Sequence, residues 1–342
     1  MFILATPIHS SINFSYHNPL KRGVRIAIRP KVNDNSITGP KVVDRIIPVG
    51  LGQRQLVLGD RYTGKTTVSI PMLLYSSSIS RLVGIDGFGT RRIIGSHIGI
   101  SQNLSKPSKS IKTLLFIIRT CLIIATHSAP SSPLPYMIPL IGISIGERLR
   151  DRGNNIPIRS DDPPKHSKSY RQTPSILAKI PSRDALPSDI PNVHPALLER
   201  CGKSSAIYPG GTISASPIIE TISPDITEYI ATNIIPITDR QSYTNKQLPL
   251  DSCRPAIDSG LSASRIGSNA QSKRMKNVPI GIKNESNYYR NSEIEKISPK
   301  YIPSNNISFQ DHLFIPAIEA PIPLSLAYRN RILSKDSTLI HR

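Results

Sequence analysis

The chain has no tryptophan, and aromatic residues make up only 5% of its 342 positions. Large core-filling side chains are scarce, and the 38% hydrophobic content falls below the roughly 45–50% of ordinary globular domains. Cysteine is nearly absent too. Cys121, Cys201 and Cys253 lie far apart with no C-x-x-C spacing, which excludes a disulfide framework or a zinc knuckle and leaves reduced thiols. Long apolar runs are missing as well. The best, IKTLLFIIRTCLIIATH, is broken by Arg119 and is too short to cross a bilayer. The first 33 residues carry no acid but several Arg, Lys and Ser, a composition shared by organelle transit segments and equally by a degenerate N-terminus.

Proline and positive charge are what the chain has in excess. There are 31 prolines, many inside apolar runs such as ATHSAPSSPLPYMIPLIG, and the net charge is +20. Such a charge fits an anionic partner: nucleic acid, anionic lipid or a phosphorylated ligand. The basic residues are spread rather than gathered in runs, which favours a solvated surface. The length allows one large or two ordinary domains.

Residues 1–38 read as irregular. From 39 to about 240, short apolar runs (QLVLG, CLIIATH, NNIPIRSDD, TNIIPITD) alternate with polar, helix-compatible stretches. Alternation of this kind predicts an α/β fold, a parallel sheet covered by helices. From about 281 the text turns polar and proline-broken, and poor order is expected there.

The sharpest local signal is GDRYTGKTT, residues 59–67. It matches G-x-x-x-x-G-K-[ST] through Gly59, Gly64, Lys65 and Thr66. Asp60, Arg61, Tyr62 and Thr63 fill the variable places. A loop leaving a strand and opening a helix turns backbone N–H groups toward phosphates, and the helix dipole adds to this. Lys65 is placed to reach the outer phosphates of ATP or ADP, and the Thr66 hydroxyl to ligate Mg²⁺. A strand over Gln55 to Leu58 and a helix from Thr66 to Leu74 are expected, with Pro71 a defect in that helix.

A phosphate loop also needs a carboxylate at the end of a neighbouring strand to hold Mg²⁺. Asp161 and Asp162 close the run NNIPIRSDD, although Pro157 and Arg159 interrupt its apolar pattern. Hydrolysis needs a group that orients water; SHIGISQNLSK puts Gln102 just after a short apolar strand. Catalysis across a subunit boundary needs an arginine finger, and GLSASRIGSNAQ would carry Arg265 on a small-residue loop.

From Gly39 to about Val278 the chain resembles the alpha subunit of the F-type ATP synthase. The resemblance rests on GPKVVDRIIPVGLGQRQLVLGDRYTGKTT, IGERLRDRGN, SDDPPKHSKSYRQ, ALLERCGK, SPIIETISPDITEYIATNIIPITDRQ and CRPAIDSGLSASRIGSNAQSKRMKNV, in the family's order. It implies a RecA-like P-loop core over residues 39–280 with irregular termini, and residues 281–342 as a remnant of the C-terminal domain. It implies that Gly59 to Thr66 form the nucleotide loop and that Asp161 takes the Walker B position beside Thr66. Gln102 would stand where the catalytic beta subunits carry a water-activating glutamate, so this site would bind ATP or ADP with Mg²⁺ without turning it over. Arg265 would reach into the adjacent beta site. Implied partners are beta subunits and the central rotor, with no nucleic acid, at the matrix side of the mitochondrial inner membrane. The 37-residue step from Lys65 to Gln102, with RLRDRGN, is more similar to the mitochondrial than the plastid version.

The departures are specific. The family's N-terminal β-barrel has no counterpart, and its C-terminal helical domain, with the adenine contacts, is unrecognisable. Tyr62 replaces a glutamine, Pro163 a leucine, and Pro174 and Ser175 interrupt a leucine-rich helix. Many exchanges are single pyrimidine changes, as in a gene translated before RNA editing or a decaying copy. Two other readings stay open: a Rho-like RNA-translocating hexameric ATPase, and a chain without function.

Overall fold

The computed structural model describes residues 2–5, 18–21, 23, 29–32, 34–85, 92–102, 121–127, 133–176, 186–204, 210–221, 227–246, 255–258, 260–265 and 271. Residues 281–342 lie outside the described residues.

Apolar runs became strands where the pattern foresaw them. β4 spans Gln55–Asp60, two residues longer than QLVL, and β6 spans Cys121–His127. β5 is Gly95–Gln102, β7 is Asn155–Asp161 and β8 is Thr212–Thr221. The run TNIIPITD behaves differently. It forms a short helix and a 3-10 turn over Tyr229–Ile234 and Ile235–Ile237, and the strand β9 follows at Arg240–Thr244. Segment 1–38, read as irregular, contributes two short strands, β1 at Phe2–Ala5 and β2 at Asn35–Ser36.

Among the described residues the main sheet has the order β1-β6-β5-β7-β8-β4-β9-β10, β10 being Ala263–Ser264. The six inner strands are parallel, and the edges β1 and β10 are antiparallel. The pair β2 and β3 (Val49–Gly50) stands apart and leads into β4.

Helices cover both faces, as parallel sheets require. Alternation along β6 shows the sidedness. Leu122 and Ile124 join the large core under α3 (Pro133–Asp151) and α5 (Ile190–Glu199), whereas Cys121 and Ile123 meet Leu73 and Leu74 of α2 (Lys65–Ile85, the next helix after α1 at Lys41–Ile46) on the other face. Burying each such leucine or isoleucine is worth about 1.5–3 kcal/mol. On α3, a Cβ at Gly142 would sit 2.5 Å from Ile98 Cδ1, so glycine there lets the helix lie close on the sheet.

Prolines are absorbed rather than obeyed. α2 runs Lys65–Ile85 straight through Pro71, and α3 runs through Pro139. Proline in a helix interior costs about 3 kcal/mol, an amount that burial against the sheet can override. Pro163 opens α4 (Pro163–Ile176), the position where its missing N–H costs nothing. A buried ion pair ties α3 to the end of α5: Arg200 donates to Glu147 Oε1 at 3.0 Å and Oε2 at 2.8 Å, and also to Ser144 Oγ at 2.9 Å.

Candidate nucleotide-binding site

Residues 59–66 form a loop between the end of β4 and the start of α2. Gly59 must be glycine because a Cβ there would lie 2.0 Å from Thr244 Oγ1 and 2.4 Å from the Thr244 carbonyl. Gly64 meets no such wall but has φ of +80°, a conformation other residues adopt with strain. Tyr62 does adopt it, at φ 63°, and its side chain is wholly exposed at the loop tip. The loop base is pinned from β9: Thr63 Oγ1 lies 2.8 Å from Thr244 Oγ1 and donates to the Asp60 carbonyl at 2.8 Å.

Lys65 folds back over the loop, donating to the Gly59 carbonyl at 2.9 Å and to the Asp60 carbonyl. Burial lowers its pKa, while Glu220, Asp60, Asp161 and Asp162 pull the other way. Thr66 is exposed at the helix start, and the first helical bond runs from Val68 N to Gly64 O at 3.0 Å. The N–H groups of the opening turn have no helical acceptor and are free for an anion.

The sheet brings the acids to the same end. Asp161 pairs in register with Ile218 and Gly59 with Glu220, so β8 separates the two acid-bearing strand ends. Glu220, missed by the sequence reading, accepts from Arg61 Nε at 2.9 Å. The signal that picked Asp161, an acid closing an apolar run, is present in PIIET too. Asp162 adopts a left-handed φ of 67°, with its carboxylate 2.8 Å from Lys165 Nζ, and burial raises its pKa.

Gln102 is the last residue of β5 rather than a residue beyond it, paired with His127 of β6, and its side chain lies outside the described residues. The register shifts between Gly99 and Gln102, the kind of bulge that re-aims a strand end. Arg265 is not at this site. It follows β10, whose Ser264 pairs with Arg240, whereas Thr244 at the other end of β9 pairs with Gly59. Arg265 therefore sits at the opposite end of the sheet from the phosphate loop, exposed, with Nη1 on the Pro236 carbonyl at 3.2 Å.

A phosphate loop at the C-terminal end of a parallel strand, with an acid-tipped strand two positions away, defines an α/β P-loop nucleotide-binding domain. Residues 39–264 match the ATP synthase alpha/beta family, nucleotide-binding domain. The chain belongs to that family and is alpha-subunit-like. It is 37% identical to ATP synthase subunit alpha of Clostridium botulinum (strain Eklund 17B / Type B) over 282 residues, 82% of this chain and 54% of that protein. Against ATP synthase subunit alpha of Metamycoplasma arthritidis (strain 158L3-1) it is 38% identical over 291 residues, 84% of this chain and 53% of the other. Against the mitochondrial ATP synthase subunit alpha of Trypanosoma brucei brucei it is 35% identical, over 81% of this chain and 47% of the other. The chain spans about half the length of these relatives.

Proposed function

We propose that the chain binds ATP or ADP without hydrolysing it and serves as the alpha-type subunit of a rotary ATP synthase. The observation that carries this reading is the loop itself. Lys65 is stacked over the Gly59 carbonyl, above a glycine that the Thr244 contact makes obligatory, in a domain that matches the alpha/beta family. Residues 39–280 form the nucleotide-binding unit in this reading.

Two oxygen groups of the kind a hydrated Mg²⁺ takes stand at this end of the sheet. Hard oxygen donors are available from the exposed Thr66 hydroxyl and from Asp161, at the end where Lys65 feels both Asp161 and Glu220. When bound, the cation would neutralise phosphate charge. Gly59 to Thr66 bind and orient the phosphates, and Lys65 leaves its carbonyls to meet them. Gln102 at the end of β5 carries an amide in place of a proton-accepting carboxylate, so it does not take a proton from an attacking water.

Arg265 acts on a neighbour. Its place at the far end of β9 from Gly59 removes it from this chain's own nucleotide. An arginine supplied to another subunit contributes on the order of 10³–10⁵ in rate. The partners are catalytic beta subunits and the central rotor. Relatives from Trypanosoma brucei brucei and Dictyostelium citrinum are named mitochondrial, which supports a mitochondrial location; in this reading the chain sits peripherally on the matrix side of the inner membrane. No described helix is long and apolar enough to cross a membrane. The test is co-purification with a beta subunit and ATPase assay of the complex. Arg265→Ala should cripple the partner's turnover and leave this chain's nucleotide affinity intact. An unaffected complex would remove Arg265 from the mechanism.

A further inference from the structure

Beneath the phosphate loop lies a cation that the strand pattern does not call for. Arg159 occupies an interior position of β7 where the alternation wants an apolar side chain, and only 2% of it is exposed. Three elements meet on its guanidinium. Nε donates to Ser69 Oγ of α2 at 2.9 Å, Nη1 lies 3.2 Å from His97 Nδ1 of β5, and Nη2 lies 3.8 Å from Asp161 Oδ2. Arginine has only donors, so His97 Nδ1 accepts and that imidazole is neutral. Ser69 in turn donates to the Thr66 carbonyl at 3.3 Å. The guanidinium thus joins the turn that carries Thr66 to the strand that carries Asp161, and its two outer bonds hold it in place.

We propose that Arg159 is a built-in counter-cation for Asp161, so that nucleotide binding here depends little on a divalent cation. The proposal rests on the nucleotide-binding reading above and specifies one property of that same site. A hydrated cation held against Asp161 through water needs the full charge of its carboxylate. Here a fixed, desolvated guanidinium faces the same carboxylate from the protein side and repels the incoming ion. A surface arginine could swing into solvent; Arg159 cannot without breaking its contacts with Ser69 and His97. Because coupling between two ligands is reciprocal, a weakened metal site gives the nucleotide correspondingly less from the metal.

The experiment is calorimetric titration of the full chain with ADP, once in excess Mg²⁺ and once in EDTA. For the parent chain the two affinities should differ by less than about threefold. Arg159→Leu, which removes the charge, should raise the ratio by about tenfold, within the usual range of coupling between neighbouring ligands. Arg159→Lys, which keeps a cation, should return it toward the parent value, a rescue that a purely packing role would not give. A cooperative melt establishes that the leucine variant is folded, and an unchanged ratio in that folded variant overturns the proposal. If the leucine variant does not fold, the parent decides, since a ratio above about tenfold in the parent overturns it alone. Absence of ADP binding in either condition overturns the nucleotide-binding reading itself and this proposal with it.

Discussion

The ammonium of Lys65 donates to the carbonyl of Gly59 at 2.9 Å, closing the phosphate loop on itself. That contact holds the lysine over the space that phosphate oxygens would take, with the carboxylates of Glu220, Asp60, Asp161 and Asp162 around it. Lys65→Ala should remove charge-assisted contacts worth about 1.5–3 kcal/mol. In calorimetry this corresponds to an affinity for ADP lower by about 10- to 150-fold. Equal affinities of variant and parent would mean that GDRYTGKTT holds no phosphate.

Pro71 sits seven residues into a helix that continues to Ile85. Its ring takes away the bond that an N–H would give to the preceding turn. Pro71→Ala restores the donor and removes only two ring carbons, so it should stabilise the chain by about 1–3 kcal/mol. Urea unfolding measures this, and a lower midpoint for the variant would contradict it.

Glu147 and Arg200 are both almost fully buried and meet through two hydrogen bonds. Glu147→Ala strands the guanidinium and should cost about 3–5 kcal/mol. The double replacement Glu147→Leu with Arg200→Met removes both charges and should cost much less. A cost for the double that equals or exceeds the single in chemical denaturation would show that the pair is not what stabilises this corner.

Among the described residues, three histidines are buried in the neutral form. Burial pushes His97 down to about 3, with help from Arg159. It pushes His166 down to about 4, and His194 to about 3 with help from His166. His166 stacks on Tyr136, which in turn meets Tyr170, whose hydroxyl donates to Asp189. With folded values below the unfolded one near 6.5, the unfolded chain binds more protons, so stability is full above that pH and falls as pH drops toward 4. Each group contributes a slope of up to about 1.4 kcal/mol per pH unit. Asp44 and Asp162, raised by burial, bind protons more readily in the folded chain and act in the opposite direction. Denaturation midpoints at pH 7.5 and pH 5 should differ, the acid value being lower. Equal midpoints would mean that these imidazoles are solvated.

The parts of the fold legible from sequence are those whose signal is local. The spacing of Gly59, Gly64 and Lys65 encodes the phosphate loop in eight residues, and CLIIATH encodes β6 by its run of apolar side chains. β9 was not legible, because RQSYT has no apolar alternation and exists as a strand through its ladder to β4. TNIIPITD read as one more apolar run, yet its first residues complete the helix Tyr229–Ile234, which brings Ile230, Ala231 and Ile234 to the core. Arg159 and His97 look like interruptions in sequence; only the register of β5 against β7, which sets them side by side, shows that they bond to each other. The far placement of Arg265 depends on which way β10 runs, which no local pattern states.

In the proposed function the loop binds nucleotide and the chain alone does not turn it over. The most direct measurement titrates the isolated chain with ATP by calorimetry and then follows inorganic phosphate in the same sample. Saturable binding without sustained phosphate release is the result expected from Lys65 on the loop, Gln102 at the end of β5 and Arg265 at the far end of β9. Sustained release by the chain alone, abolished by Lys65→Ala, would contradict the account.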